Sequence, residues 1–136
     1  GRLGVYDYIS LLSKQGKLAN LVHRLLRKGY GVYISADHGN THCTGIGRPQ
    51  GFGVEVETRS HRMMVLKEFA DSENYREKYG LIEYPKYYLP KEYEYLVCNT
   101  GTSLDINGAD VMSHGGITID EVVVPFIELK AEENNG

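Results

Sequence analysis

Three side chains that can bind a metal ion stand out in the sequence: the neighbours Asp37 and His38, and the distant His114. A carboxylate and a neutral imidazole are common oxygen and nitrogen ligands of zinc and manganese. The first two follow an apolar run, and His114 precedes a Gly-Gly pair, where the backbone can come close to a ligand. Because two ligands alone make a weak site, we predict that His114 joins Asp37 and His38 at a divalent-metal site.

Other interpretations of these residues stay open at this point. Asp37-His38-Gly39 is also compatible with a simple turn in which the aspartate bonds its own backbone. His42 and His61 could approach the same site as further ligands. His23 lies among basic residues of a predicted helix, so we expect it to be solvated.

Arginine side chains are the candidates for binding a phosphate. Arg59 and Arg62 lie in a segment with strand character, and Arg48 lies in a glycine-rich stretch. The guanidinium fork suits phosphate oxygens well. A solvated or salt-bridged strand face is the alternative for each arginine taken singly. The sequence contains no P-loop, GxSxG or GxGxxG pattern that would indicate another chemistry.

Length, composition and charge favour one globular domain spanning residues 1–136. The 41% hydrophobic and 24% charged residues are typical of a chain that buries a core. A net charge of -3 gives no reason to expect broad binding to nucleic acid or to a membrane. Cys43 and Cys98 form no CxxC, so we interpret them as reduced thiols of a cytoplasmic protein.

A helix and a strand are expected to position Asp37 and His38. Apolar residues at 18, 21, 22, 25 and 26 have the spacing of an amphipathic helix, and Gly29 is expected to end it. A shorter helix is predicted around 6–12. Residues 31–35 then have the composition of a short buried strand. This order predicts an α/β fold, in which ligands bind at the carboxyl ends of strands.

The remainder of the chain is expected to alternate between loops and short elements. Residues 39–53 are predicted to be a glycine-rich loop. Strand character returns in the segments 54–67 and 94–100, and a short helix between them is expected to begin at Ser72 and end at Gly80.

The C-terminal segment carries a local start signal for a helix. Thr118 and Glu121 have capping-box spacing, which predicts one helical turn over 119–121. A strand over 122–129 is expected to follow, with Pro125 indicating an edge position or a bulge. Residues 131–136 are predicted to be a frayed tail.

Two motifs, YGVYISADHGN (30–40) and SHGGITIDEVVVPFIEL (113–129), together resemble the PglZ domain of the alkaline-phosphatase-like superfamily. The segment TRSHRMMVL (58–66) is similar to the arginine-containing strand that lies between them in that family. The resemblance covers about residues 15–130, in the right order. It implies a mixed sheet flanked by helices, as the C-terminal part of an alkaline-phosphatase-like fold with a two-metal phosphohydrolase site.

The resemblance also implies roles for individual residues. Asp37 and His38 would bind one of two divalent metals, zinc or manganese, and His114 would bind the other. Arg59 or Arg62 would hold a non-bridging phosphate oxygen. The family's nucleophile and its remaining ligands lie N-terminal to the DHG motif, and the 36 residues before Asp37 are too few to carry them. The chain is therefore expected to be the C-terminal portion of a larger PglZ protein, with a partial or empty metal site.

PglZ proteins are associated with bacterial phage resistance in systems of the BREX type, and some relatives are signalling proteins. The resemblance thus implies three partners: a phosphoryl-containing substrate, the rest of the parent chain and other defence-system proteins. An exposed sheet edge could also pair with a second copy. Two alternatives remain, a non-catalytic assembly module with the same fold and a phosphoglycerate-mutase-like metalloenzyme, which shares DHGN. The segment HGGITIDEVVVP favours PglZ over the latter.

We expect that this chain does not hydrolyse a phosphodiester by itself, because the nucleophile and several ligands would be supplied from elsewhere in the parent. A phosphodiesterase assay of the chain with zinc or manganese checks this. Metal-dependent turnover that the substitution Asp37→Ala abolishes would contradict it.

Overall fold

The computed structural model describes residues 2–49, 61–67 and 72–132, and it has the predicted α/β character. The helices within these ranges are α1 (Arg2–Lys14), α2 (Lys17–Arg27), α3 (Ser72–Tyr79) and α4 (Ile119–Val122). The strands are β1 (Val32–Ser35), β2 (Thr41–Gly45), β3 (Met63–Lys67), β4 (Ile82–Glu83), β5 (Tyr93–Val97), β6 (Thr102–Ser103), β7 (Asp110–Ser113) and β8 (Phe126–Leu129). The chain forms two compact units, Gly1–Asp37 with Val124–Gly136, and His38–Val123.

The first unit contains α1, α2 and the antiparallel pair of β1 and β8. The predicted end of α2 at Gly29 is confirmed. The Gly29 N–H donates to the Leu26 carbonyl and the Tyr30 N–H to the Leu25 carbonyl, which is the Schellman arrangement. Gly29 adopts a φ of 83°, which a residue with a side chain rarely adopts.

The prediction that β1 is buried is wrong. Alternate residues of a strand point to opposite faces, and within the first unit α2 packs against β1. Residues of β1 therefore alternate between half-buried and exposed, and Tyr33 keeps 59% of its surface accessible. Tyr33 packs its ring at 5.7 Å from that of Phe126 and donates a hydrogen bond to Glu128. No helix in the described ranges is long and apolar enough to cross a membrane.

The second unit contains two three-stranded sheets. One is mixed, with β2 in the centre, parallel to β6 and antiparallel to β7. The other is antiparallel, with β5 between β3 and β4. The buried core of the second unit consists of the apolar residues Met64, Leu66, Leu81, Leu96, Cys98 and Leu104. Ile46 and two tyrosines of α3 pack against this core. Cys43 and Cys98 are both free thiols.

Residues 39–53 are not simply the loop that their glycines predict, because β2 lies within this segment. Cys43 lies in the middle of β2, with no accessible surface. Backbone pairing on both sides of β2 stabilises the strand, whereas glycine content reports only local preference.

The other predicted elements form where the structure describes them, but α1 spans Arg2–Lys14 and is longer than α2, whereas the sequence predicts a shorter helix around 6–12. Helix α3 runs from Ser72 up to Gly80, and β5 lies within the predicted strand region except for its first residue. The helical turn α4 forms as expected, but the last strand, β8, begins only at Phe126, directly after Pro125. The first part of the predicted strand 54–67 lies outside the described residues, as do the last four residues of the tail.

Leu96 lies in β5, the central strand of its sheet, and is a sensitive probe of the second unit's core. Leu96 is 1% exposed, so we expect Leu96→Ala to lower the free energy of unfolding by roughly 2–5 kcal/mol. Urea denaturation measures this. Ile106→Ala is the matched control, because Ile106 is 63% exposed and its truncation is expected to change stability by less than about 1 kcal/mol. Equal losses in both variants would contradict this assignment of the core.

Candidate metal centre

His38 and His114 lie together in the second unit. Their ring centroids are 4.0 Å apart, and the ring planes differ by 19°, so the imidazoles are stacked. Both residues are half-buried. The structure therefore brings together two of the three predicted metal ligands, which are far apart in the sequence.

The sheet explains why these two histidines meet. Thr41 at the start of β2 pairs with Ser113 at the end of β7. Because the two strands are antiparallel, the residues that precede β2 and those that follow β7 lie at the same end of the sheet. His38 comes from the first histidine loop (residues 38–40), and His114 comes from the second histidine loop (residues 114–118).

Close backbone contact fixes the first histidine loop. The Gly39 N–H donates to the main-chain carbonyl of Glu121 at 2.8 Å. A Cβ atom at Gly39 would lie 1.8 Å from the carbonyl oxygen of Asp120, so only glycine fits here. The ring of His38 lies with Nδ1 at 2.9 Å from the Gly39 carbonyl oxygen. Since a carbonyl only accepts, Nδ1 is the donor in this bond, and in the neutral imidazole the lone pair is then on Nε2.

The carboxylate of Glu121 fixes the second histidine loop. Its Oε1 accepts from the Gly116 N–H at 2.8 Å, and its Oε2 accepts from both the Thr118 N–H and the Thr118 hydroxyl. The bond to the Thr118 N–H belongs to the predicted capping box, which is confirmed. Glu121 is only 2% exposed, and its backbone and side chain together hold both histidine loops.

Arg62 is buried beside Glu121 and does not face solvent as a phosphate ligand would. Its Nε and Nη2 donate to the two carboxylate oxygens of Glu121, each at 2.9 Å. Its Nη1 donates to the carbonyls of Asn99 and Thr102. Arg62 has no accessible surface, so the prediction that it binds phosphate is corrected: its guanidinium is occupied by an internal ion pair.

The ion pair sets the charge states of its members. Burial by itself would raise the pKa of Glu121, but the hydrogen bonds from Arg62, Thr118 and Gly116 outweigh it and lower this pKa to about 2. Burial would likewise lower the pKa of Arg62, and the bond to Glu121 more than compensates, so the pKa is raised.

Burial raises the pKa of Cys98 to about 11, which leaves it a thiol at neutral pH.

The remaining candidates from the sequence lie elsewhere or have other partners. Asp37 belongs to the first unit and has an exposed side chain, and Arg59 lies outside the described residues. His42 contacts Asp110 through Nε2, and His61 contacts Asp105 through Nδ1 at 2.7 Å. The side chain of His23 is exposed on α2, as expected.

Sequence reasoning missed the larger role of Glu121. Its capping-box spacing reveals the contact with Thr118 but not those with Arg62 and Gly116. One signal could have revealed Arg62 as its partner. Arg62 directly precedes the apolar residues MMVL, and a charge next to a segment that must be buried needs a partner of opposite charge.

The family resemblance implies divalent metals, and the side chains near His38 and His114 fit them only in part. In the part of the chain that the structure describes, no group of three or more His, Cys, Asp or Glu residues is arranged to hold a metal ion. The two imidazoles nevertheless fit the chemistry of nitrogen ligands, and the Nδ1 bond of His38 resembles the outer-shell bond that metal-binding histidines usually make.

Mixed α/β architecture, with histidines gathered at the ends of strands, is the arrangement expected of an alkaline-phosphatase-like domain. The family model described as the BREX system PglZ alkaline phosphatase-like domain matches residues 6–129. The chain therefore belongs to the PglZ family, as its DHG and HGG motifs indicated. Comparison with curated proteins and with solved structures found no significant match.

The low pKa of Glu121 makes stability depend on pH. A carboxyl group whose folded-state pKa is about 2, against an ordinary value of 4.5, stabilises the fold above pH 4.5. That contribution, about 3 kcal/mol by linkage, is lost as the pH falls from about 5 towards 2. We expect Glu121→Gln to be less stable than the wild type at pH 7, and the two curves to converge at low pH. Urea denaturation between pH 7 and 3 measures both curves, and parallel curves would show that Glu121 carries no such linkage.

Proposed function

We propose that this PglZ domain forms part of a two-metal phosphohydrolase site in which His38 and His114 bind two neighbouring divalent metals. The stacking of these imidazoles at the end of the β2–β7 pair is the observation that carries the proposal. Asp37, which precedes His38 directly, would join it on one metal, as the family resemblance implies.

The geometry of the two rings favours two ions over one shared ion. The lone pair of an imidazole nitrogen lies in the plane of its ring. Because the rings of His38 and His114 are stacked 4.0 Å apart with planes that differ by only 19°, their lone pairs lie in two separate, nearly parallel planes. Each imidazole would therefore hold its own ion, and two neighbouring divalent metals would supply the chemistry of a two-metal site.

The hydrogen bonding of His38 supports the same function. A proton held on Nδ1 by the Gly39 carbonyl leaves Nε2 as the nitrogen through which His38 would bind a metal. The fixed tautomer also fixes the ring orientation, so the ligand would be preorganised before a metal arrives.

The chain's own residues would contribute binding and orientation to the reaction. Two divalent metals, zinc or manganese, when bound supply Lewis acidity and lower the pKa of a nucleophile. His38 and His114 would hold them, and Arg59 remains the candidate for a non-bridging oxygen of the phosphoryl-containing substrate. The nucleophile is expected from the rest of the parent chain.

The surface of the first unit is compatible with a covering partner. Leu18 and Leu21 on α2 and Phe126 on β8 are 59%, 52% and 74% exposed. Large apolar side chains that are exposed to this extent on several elements of a small unit are typical of a surface that a partner covers. We propose that the rest of the parent chain covers it, in a protein that acts in bacterial defence. A second copy of the chain and other defence-system proteins are the alternative partners.

Calorimetry of the complete parent protein with zinc and with manganese tests the metal sites, because this chain alone is expected to have a partial or empty site. We expect His38→Ala and His114→Ala each to remove one ion from the binding stoichiometry, because each imidazole serves its own metal. His23→Ala is the matched control, since it removes an exposed histidine of the first unit and should bind as the wild type does.

Two results would contradict the proposal. If each single variant abolishes both ions, one shared site is the better interpretation. If the wild type and the His38→Ala/His114→Ala double variant behave alike, the imidazoles do not bind metal, and the non-catalytic assembly module becomes the favoured function.

A further inference from the structure

Glu121 is the residue at which the two histidine loops converge. Its main-chain carbonyl accepts from the Gly39 N–H, next to His38. Its carboxylate accepts from the Gly116 N–H and from Thr118, in the loop that begins with His114. A shift of Glu121 by a fraction of an ångström would therefore change the spacing of the two imidazoles.

Arg62 restricts the movement of that carboxylate. The bidentate bond fixes both oxygens, and planar guanidinium–carboxylate pairs are geometrically specific. The third guanidinium nitrogen of Arg62, Nη1, donates to the carbonyls of Asn99 and Thr102 and so anchors the pair. The ion pair thus connects the start of β3, the turn before β6 and both histidine loops.

The side chains of Arg62 and Glu121 are also in close contact with the second histidine loop at Gly116. A Cβ atom at Gly116 would lie 2.8 Å from Oε2 of Glu121 and 2.9 Å from Nη2 of Arg62. Loop, carboxylate and guanidinium are therefore in direct contact, with no room for the loop to move towards the pair.

From this geometry we propose that Glu121 and Arg62 are positioning residues that hold His38 and His114 at stacking distance. The proposal rests on the proposed function only where it concerns metals, because the spacing of the rings is a property of the metal-free chain. A purely structural ion pair would contribute stability but would have no specific effect on that spacing.

A double substitution separates the two roles. Arg62→Met with Glu121→Met replaces the buried pair by apolar side chains of similar length, a change that often leaves stability intact. It also removes the acceptors for the Gly116 N–H and for Thr118. The matched control is Lys86→Met with Glu94→Met, which removes another ion pair of the same unit, 2.6 Å long, at a different place in the fold.

Two measurements are made on the 136-residue chain, with urea denaturation to show that the variants are folded. The first is the nuclear Overhauser effect between the ring protons of His38 and His114 without metal. The second is zinc affinity by calorimetry. We expect the double variant to lose the ring-to-ring effect and to bind zinc about 10- to 100-fold more weakly, the range for lost outer-shell partners. The control should retain both properties.

The results distinguish this inference from the proposed function. A folded double variant that keeps the ring-to-ring effect overturns the inference but not the metal proposal. A wild type that binds zinc but shows no ring-to-ring effect has the same two consequences. If the wild-type chain binds no zinc, loss of the ring-to-ring effect in the double variant still supports the inference, and calorimetry of the parent protein decides the metal proposal separately. If the double variant does not fold, Gly116→Ala takes its place, since it pushes on the pair without removing a charge, and an unchanged ring-to-ring effect there overturns the inference.

Discussion

The buried ion pair of Arg62 and Glu121 is the constraint on which the second unit depends. Removing two charges from water costs several kcal/mol per ion, and the attraction between them compensates only when geometry and hydrogen bonding are nearly complete. Here both are. The carboxylate of Glu121 accepts five hydrogen bonds, two from Arg62, one from Gly116 and two from Thr118, and the third guanidinium nitrogen of Arg62 donates to two carbonyls. The segments that supply these groups must therefore be in place together, or the charges remain uncompensated.

Local patterns of the sequence predicted local structure well. Both N-terminal helices, the end of α2 at Gly29 and the helical turn after Thr118 depend on residues within a few positions of one another, so spacing and capping residues suffice to indicate them. Strand β2 could not be predicted in this way. Its stability comes from partners 58 to 72 positions further along the chain, and its own sequence, THCTG, gives no sign of them.

The candidate site shows the same division between local and long-range information. Motif resemblance predicted that His114 belongs with the DHG motif, and the structure stacks its ring on that of His38. The error concerned Arg62. Residue type reveals a charge, but it does not reveal whether that charge meets water, a ligand or a carboxylate from a distant part of the chain. Only the fold decides this, because the partner Glu121 lies 59 positions away.

The glycines of the two motifs have a steric meaning that complements the histidines. Gly39 lies where a side chain would collide with the backbone of Asp120, and Gly116 lies where one would collide with the ion pair. Each histidine is thus followed within two residues by a position at which the chain must approach the segment 120–121. The histidines bring the ligand atoms, and the glycines allow the two loops to share one anchor. In this chain the DHG and HGG motifs therefore indicate close packing around a buried carboxylate as much as they indicate chemistry.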